Sequence, residues 1–447
     1  MFKIGDYFFD SDRLIFIKSD LSADEVSIVK SNTNTRDLSG SEMFYNQNTF
    51  ENLNAKKAVP TSGVICLTDG CQLNCTYCQN KFTNRKVYSL TLKQVEVFVC
   101  YLIRNIKIKQ MSGKEPDLLS VTFTGGGEPT FDWDLFVKSV TLINENCSKH
   151  KVEYVLALTT NGVLRSEQLK FIATNFKKVM VSYDGIPSVH NNNRGMVDGY
   201  YDVAVQAENT IRVLGSAQVE VSLRSVVWQN DFNKLKEMSK YIYTNFPFIV
   251  EWSITHAMNL GKGAHNTEKD FYDAQNYNFT KEYITTLEYV KNTYDNKNIN
   301  ALMFNHEIIE IFCGSFLLMT PILMTDGTVT SCADAGNILP VAGKVTDTKV
   351  TLYESYTDEF MKTSKTMFFE CKKCMAYAFC AGGCPAKYIR DKETSIDTAK
   401  WECEMIIHYW KYIFQQLLNQ KTCFGFKLEV VPLETIPVGA VYQIVKE

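Results

Sequence analysis

The sequence holds no apolar run near the roughly 18 residues that cross a bilayer, and this argues against a membrane span. It has no lysine-rich run and a net charge of -3, so no nucleic-acid groove is suggested by charge. The opening Met1-Phe-Lys-Ile-Gly-Asp-Tyr lacks a basic segment followed by an apolar core, and no secretory signal is visible. A cytoplasmic protein without nucleic-acid or membrane partners is the expectation. Disorder and fibrous repeats are disfavoured too, because 45% of residues are hydrophobic and 22% charged. At 447 residues the chain suits two or three domains.

What is abundant is cysteine, with 14 in the chain. In a reducing compartment that number does not make a disulfide framework. Ten fall into tight metal-type spacings; Cys66, Cys100, Cys147 and Cys423 stand outside them and read as small buried apolar side chains. Cys71, Cys75 and Cys78 follow the apolar run Ser62–Leu67 in a C-x3-C-x2-C spacing. A zinc site wants four closed ligands, whereas a [4Fe-4S] cube held by three thiolates keeps one iron open.

From Thr61 to about His256 short β-rich runs alternate with amphipathic helices. Strands are expected at Ser62–Leu67, Leu119–Thr124, Glu153–Thr159, Val179–Tyr183, Val219–Val226 and Ile249–Thr255, and helices at 92–109, 132–145, 166–176, 200–214 and 232–243. Strands alternating with helices predict an α/β parallel sheet, because parallel strands need crossovers. Chemistry then belongs at the C-terminal ends of the strands. The cysteine loop after the first strand lies there, as do Thr124-Gly-Gly-Gly-Glu-Pro129 after the second and Thr159-Thr-Asn-Gly162 after the third. The fourth strand leads into Val181-Ser-Tyr-Asp-Gly185, His190 and Asn193-Arg-Gly195, and His190 reads as structural. Residues 268–298 read as an aromatic-rich linker helix.

A second array runs from Cys313 through Gly327 and Cys332 to Cys371-x2-Cys374-x5-Cys380-x3-Cys384 and Cys403. The Asp326-Gly327 pair predicts a hairpin turn between the strands that carry Cys313 and Cys332. After an amphipathic helix over 401–418, strands at 424–431 and 440–446 are expected to join an N-terminal hairpin within 4–18.

The first cysteine loop, with Tyr77 just before its last ligand, resembles the radical S-adenosylmethionine (SAM) enzymes, and the second array resembles the SPASM auxiliary-cluster module of members that modify peptides. The resemblance implies a partial (β/α)6 barrel of the TIM type over 61–300, a SPASM domain over 301–425, C-terminal strands over 426–447 and an N-terminal extension over 1–60, where some relatives hold a leader peptide. It implies three [4Fe-4S] clusters and SAM. Cys71, Cys75 and Cys78 would hold the SAM cluster, Cys371, Cys374, Cys380 and Cys403 one auxiliary cluster, and Cys313, Cys332 and Cys384 the other, with an iron left open or capped by Cys423, Asp334 or His306. Tyr77, Gly126, Gly127, Glu128 and Ser182 would contact SAM, and Arg194 its carboxylate.

The implied activity begins with a 5′-deoxyadenosyl radical and ends in modification of a ribosomally made precursor peptide. A thioether cross-link is favoured if the open iron binds a substrate thiolate. Carbon-carbon cross-linking and the oxidation of a Cys or Ser to formylglycine, as in anaerobic sulfatase maturation, are the alternatives. Sulfatase-maturing relatives carry an aspartate base directly after the second SPASM cysteine; here Ala333 stands there and Asp334 follows, so Asp334 is the candidate catalytic residue. A flavodoxin or ferredoxin would supply electrons. From another class, a zinc-dependent peptide-binding protein would use the same cysteines without radical chemistry.

Overall fold

The computed structural model describes the chain except residues 1, 12, 33–58, 79–85, 114–117, 198–201, 258–275, 302, 305, 307–314, 316–317, 334–338, 357, 361–370, 372–373, 392–397, 425, 432, 434–436, 438–439 and 447. Its strands are β1 (Phe2–Ile4), β2 (Tyr7–Asp10), β3 (Ile15–Lys18), β4 (Ser62–Ile65), β5 (Leu119–Phe123), β6 (Tyr154–Thr160), β7 (Lys178–Ser182), β8 (Glu220–Val227), β9 (Glu251–His256), β10 (Asn298–Ala301), β11 (Ile322–Leu323), β12 (Thr328–Thr330), β13 (Gly343–Val345), β14 (Val350–Leu352), β15 (Thr422–Cys423), β16 (Phe426–Val430) and β17 (Val441–Lys446). The chain divides into two compact units, one of Met1–Lys57, Met303–Cys313 and Met361–Glu447, the other of Ala58–Leu302 and Gly314–Phe360.

The larger unit carries an α/β sheet in which β4 to β10 lie side by side in chain order, every neighbour parallel. Helices Leu92–Met111, Trp133–His150, Ser166–Asn175, Val203–Ser216, Leu235–Asn245 and Asn276–Thr293 separate successive strands. Alternation decides which side chains meet them. In β5, Leu119, Val121 and Phe123 are fully buried while Ser120 and Thr122 are half-buried, and Phe123 packs against Phe136 of the following helix at 5.3 Å. The first of these helices starts at a capping box, in which Thr91 accepts from Gln94 N and Gln94 returns a bond to Thr91 N.

Two features enlarge this sheet beyond the six strands read from the sequence. The seventh parallel strand, β10, is the short Asn298-Ile-Asn-Ala301, whose half-polar composition gives little signal. On the other side β11 joins β4 in parallel and turns through Asp326-Gly327 into β12, so residues 314–360 pack with the barrel strands. Gly327 has φ +80, as the turn requires.

The smaller unit is an antiparallel sheet in the order β1-β2-β3-β17-β16-β15, so the two ends of the chain share one sheet through the pairing of β3 with β17. Helix Thr398–Gln420 lies against it, with Phe414 4.3 Å from Phe9 and Trp410 stacked on Phe379 at 3.6 Å. Among the described residues no helix is long and apolar enough to cross a membrane.

Candidate active site

In the larger unit the ends of β4 to β9 gather the residues that carry chemistry. The cysteine loop leaves β4 and is held on two sides. On one, Gly127 N donates to Thr68 O at 2.8 Å and Glu128 N to Gly70 O at 2.8 Å, fastening the glycine loop after β5 to the cysteine loop. On the other, residues 193–197 run beside it: Asn74 N donates to Gly195 O at 2.7 Å, Thr76 N to Asn193 O at 2.9 Å, and Val197 N to Gln72 O at 3.0 Å. Trp228, just past β8, donates through Nε1 to Thr76 Oγ1 at 3.0 Å. This second brace has no signature in the sequence, because it needs the Asn193-Arg-Gly195 segment to return to a loop more than a hundred residues earlier.

The glycines are explained by the first contact. A Cβ on Gly127 would stand 1.9 Å from Gly70 O, and one on Gly126, whose φ is +64, would stand 2.7 Å from Thr68 O. Nothing but glycine lets the two backbones approach this closely.

Cys71, Cys75 and Cys78 are half-buried together. Leu73 N and Asn161 Nδ2 donate to Cys71 Sγ at 3.4 and 3.8 Å. Burial, helped by Glu128, Cys75 and Cys78 and opposed by the Leu73 hydrogen bond, pushes the Cys71 thiol up to about 12. A thiolate there calls for a cation, and the irons of a cluster would provide it. Among the described residues no three metal-binding side chains stand close enough for one ion; thiolates on a cube occupy separate irons.

Glu128 is buried and ties β5 to β6: its carboxylate accepts from Asn161 N at 2.7 Å, Thr160 Oγ1 at 2.8 Å and Thr130 Oγ1 at 2.8 Å. Burial raises its pKa while these three donors hold it down. Asn161, in the Thr159-Thr-Asn-Gly162 segment at the end of β6, is therefore a contact of both Cys71 and Glu128.

Asp184, two residues beyond Ser182 at the end of β7, is a hub that sequence reasoning did not single out. Its buried carboxylate accepts from Tyr77 Oη at 2.5 Å, Arg194 Nε at 3.1 Å, Arg194 Nη2 at 3.2 Å, Val226 N at 3.0 Å and Asn193 Nδ2 at 3.4 Å. Arg194 also lies 5.3 Å over the Tyr77 ring. Burial opposes the Arg194 charge, but Asp184, Tyr77 and Cys75 outweigh it and raise its pKa. Ser182 is half-buried. His190 is wholly buried, accepts from Asp184 N at 3.1 Å through Nδ1 and stacks on Tyr183, a supporting place; burial lowers its pKa to about 3.

In the smaller unit, burial raises the Cys380 thiol well above its usual range, and Cys403, Cys371 and Cys374 raise it further, so each of these three lies within electrostatic reach of Cys380. The stacking of Phe379 on Trp410 seats the neighbouring Cys380, and Cys403 lies seven residues before Trp410 on the same helix face. Cys384 belongs to this unit and Cys332 to the larger one. Cys313 and Asp334 lie outside the described residues, as does the start of the linker helix. Of the capping candidates, His306 is engaged with the Tyr409 hydroxyl and Cys423 is half-buried on β15. Cys66 and Cys147 are buried as small apolar side chains, while Cys100 is half-buried.

Comparison with known proteins agrees with this geometry. Residues 65–230 match the radical SAM superfamily. A cysteine-type anaerobic sulfatase-maturating enzyme of Clostridium perfringens is 27% identical over 380 residues, covering 79% of this chain and 95% of the relative. Among solved structures, native anSMEcpe with bound AdoMet and Kp18Cys peptide superposes with a TM-score of 0.60 at 21% identity, over 80% of this chain and 98% of that one. Streptococcus suis SuiB bound to precursor peptide SuiA gives 0.51 at 15% identity, over 89% and 98%.

Proposed function

Since residues 65–230 form a radical SAM domain and the chain is an enzyme of radical chemistry, we propose that it modifies a ribosomally made precursor peptide and closes a thioether cross-link in it. The observation that carries the reading is the cysteine loop, clasped between the glycine loop and residues 193–197 at the C-terminal ends of the strands. Cys71, Cys75 and Cys78 would hold a [4Fe-4S] cluster, and Gly126, Gly127, Glu128, Ser182, Tyr77 and Arg194 would contact SAM. When bound, cluster and SAM supply a 5′-deoxyadenosyl radical that removes hydrogen from an unactivated carbon. The chain's own residues orient and enclose: the two braces fix the loop, and Glu128 holds the ends of β5 and β6 in register.

The peptide substrate is supported by the sulfatase-maturating relative and by the peptide-bound structures that share the fold. Two auxiliary clusters, on Cys371, Cys374, Cys380 and Cys403 and on Cys313, Cys332 and Cys384, complete the proposed set. An electron donor such as flavodoxin or ferredoxin is proposed, and Asp334 keeps its place as the candidate base.

Formylglycine formation is a second reading, favoured by the likeness to the sulfatase-maturating enzyme over 95% of that relative's length. Against it, the residue after Cys332 is Ala333, whose Cβ would lie 3.2 Å from a Cβ on Gly125. The position abuts the glycine loop, and an alanine there cannot take a proton.

The deciding experiment incubates anaerobically reconstituted, reduced protein with SAM and a cysteine-containing test peptide. 5′-Deoxyadenosine together with a peptide lighter by two hydrogens, its thiol no longer alkylatable, supports the thioether. Exchange of the cysteine sulfur for an aldehyde oxygen supports the second reading. Absence of 5′-deoxyadenosine defeats both.

A further inference from the structure

The buried Asp184 carboxylate gathers five donors from three parts of the site: Tyr77 on the cysteine loop, Asn193 and Arg194 on the brace, and the backbone of β8 at Val226. Its side chain is fully buried and that of Arg194 is 8% exposed. The guanidinium presents two edges. Nε and Nη2 are spent on Asp184, and among the described residues Nη1 has no protein partner. An arginine in open solvent turns freely about its side-chain torsions; this one is pinned by two parallel bonds, which leave its remaining edge in one direction.

We propose that Asp184 is a positioning residue, which holds Arg194 by one edge so that the other edge is presented to the carboxylate of SAM. The inference rests on the radical SAM reading above and adds to it how the guanidinium is aimed. The same carboxylate grips the Tyr77 hydroxyl, one residue from Cys78, so the arginine and the cluster loop are registered on one fixed point. The brace contributes as well, since Thr76 N bonds to Asn193 O beside Arg194. SAM must meet an iron and an arginine at the same time, and this junction sets their separation.

Asp184→Asn keeps shape and hydrogen-bonding size but removes the charge and one acceptor. The expected result is a reconstituted cluster with unchanged iron content and an unchanged EPR spectrum without SAM. SAM should then bind about tenfold more weakly or worse, the scale of one charge-assisted hydrogen bond, with a diminished EPR change on its addition. Because Asp184 acts through Arg194, the double variant with Arg194→Gln should bind SAM no more weakly than Arg194→Gln alone. SAM affinity within twofold of wild type, or losses that multiply in the double variant, overturns the proposal. If Asp184→Asn does not accept a cluster, Arg194→Lys decides: one ammonium cannot serve both carboxylates, so a tenfold loss of SAM affinity is expected, and retention within twofold overturns the proposal. Wild-type protein that produces no 5′-deoxyadenosine would instead refute the radical SAM reading, an outcome separate from these.

Discussion

Replacing Gly127 with alanine tests whether the glycine loop and the cysteine loop are one piece. The added Cβ would meet Gly70 O at 1.9 Å, Gly70 C at 2.5 Å and Asp69 C at 2.7 Å, all backbone atoms that no rotamer change can remove. Gly127 lies outside the left-handed region, so the cost is steric. The loops must part, which breaks Gly127 N to Thr68 O and Glu128 N to Gly70 O. Two hydrogen bonds at about 1 kcal/mol each, with an overpacking cost of about 1–3 kcal/mol, give about 3–5 kcal/mol. Gly195→Ala is the control from the facing brace, because a Cβ there meets nothing within 4 Å. Urea unfolding of the apoprotein should show a clear fall in midpoint for Gly127→Ala and a change within about 0.5 kcal/mol for Gly195→Ala. SAM affinity of the reconstituted protein should fall in the first and hold in the second. Equal midpoints and equal SAM affinities for the two variants would refute the contact and the role given to it.

Cys75→Ala should abolish 5′-deoxyadenosine formation, whereas Cys374→Ala should retain some of it and lose the peptide product; equal loss of SAM cleavage in both would count against separate roles for the two cysteine arrays. Anaerobic reconstitution should bring iron to about twelve per chain if all three cubes form, and elemental analysis showing zinc instead would return the cysteines to a structural role. His190, with its pKa lowered to about 3, stays neutral in the folded protein while an unfolded chain takes a proton near 6.5, so stability falls as pH drops below about 6.5. The slope is about 1.4 kcal/mol per pH unit, and His190→Asn should flatten it in apoprotein urea midpoints measured at two pH values.

The parallel sheet was legible because its strands alternate with helices that carry apolar faces. Ser62 and Leu119 start their strands where the pattern places them, and the helix expected from Leu92 is found there, closed by its Thr91 cap. The cysteine and glycine loops could be read because only certain residue types do that work at those spacings. Asp184 could not. An aspartate in a turn after a strand has many local explanations, and its five donors come from residues spread between Tyr77 and Val226. The brace at residues 193–197 is hidden for the same reason, since its bonds run through backbone atoms that every residue possesses. The joining of β11 to β4 was equally out of reach, because a two-residue strand has no period to detect.

The pairing of β3 with β17 puts a constraint on how this protein can be made. Ile17 must wait for Val441, over four hundred residues later, before its strand has a neighbour on that side. The larger unit is complete in sequence at Phe360, well before Val441 is made. Closing so wide a loop is entropically slow rather than prohibitive, since the penalty grows with the logarithm of length. Deleting the last strand would therefore strip the first three of their partner and loosen the seat of Cys380 at the opposite end of the sequence.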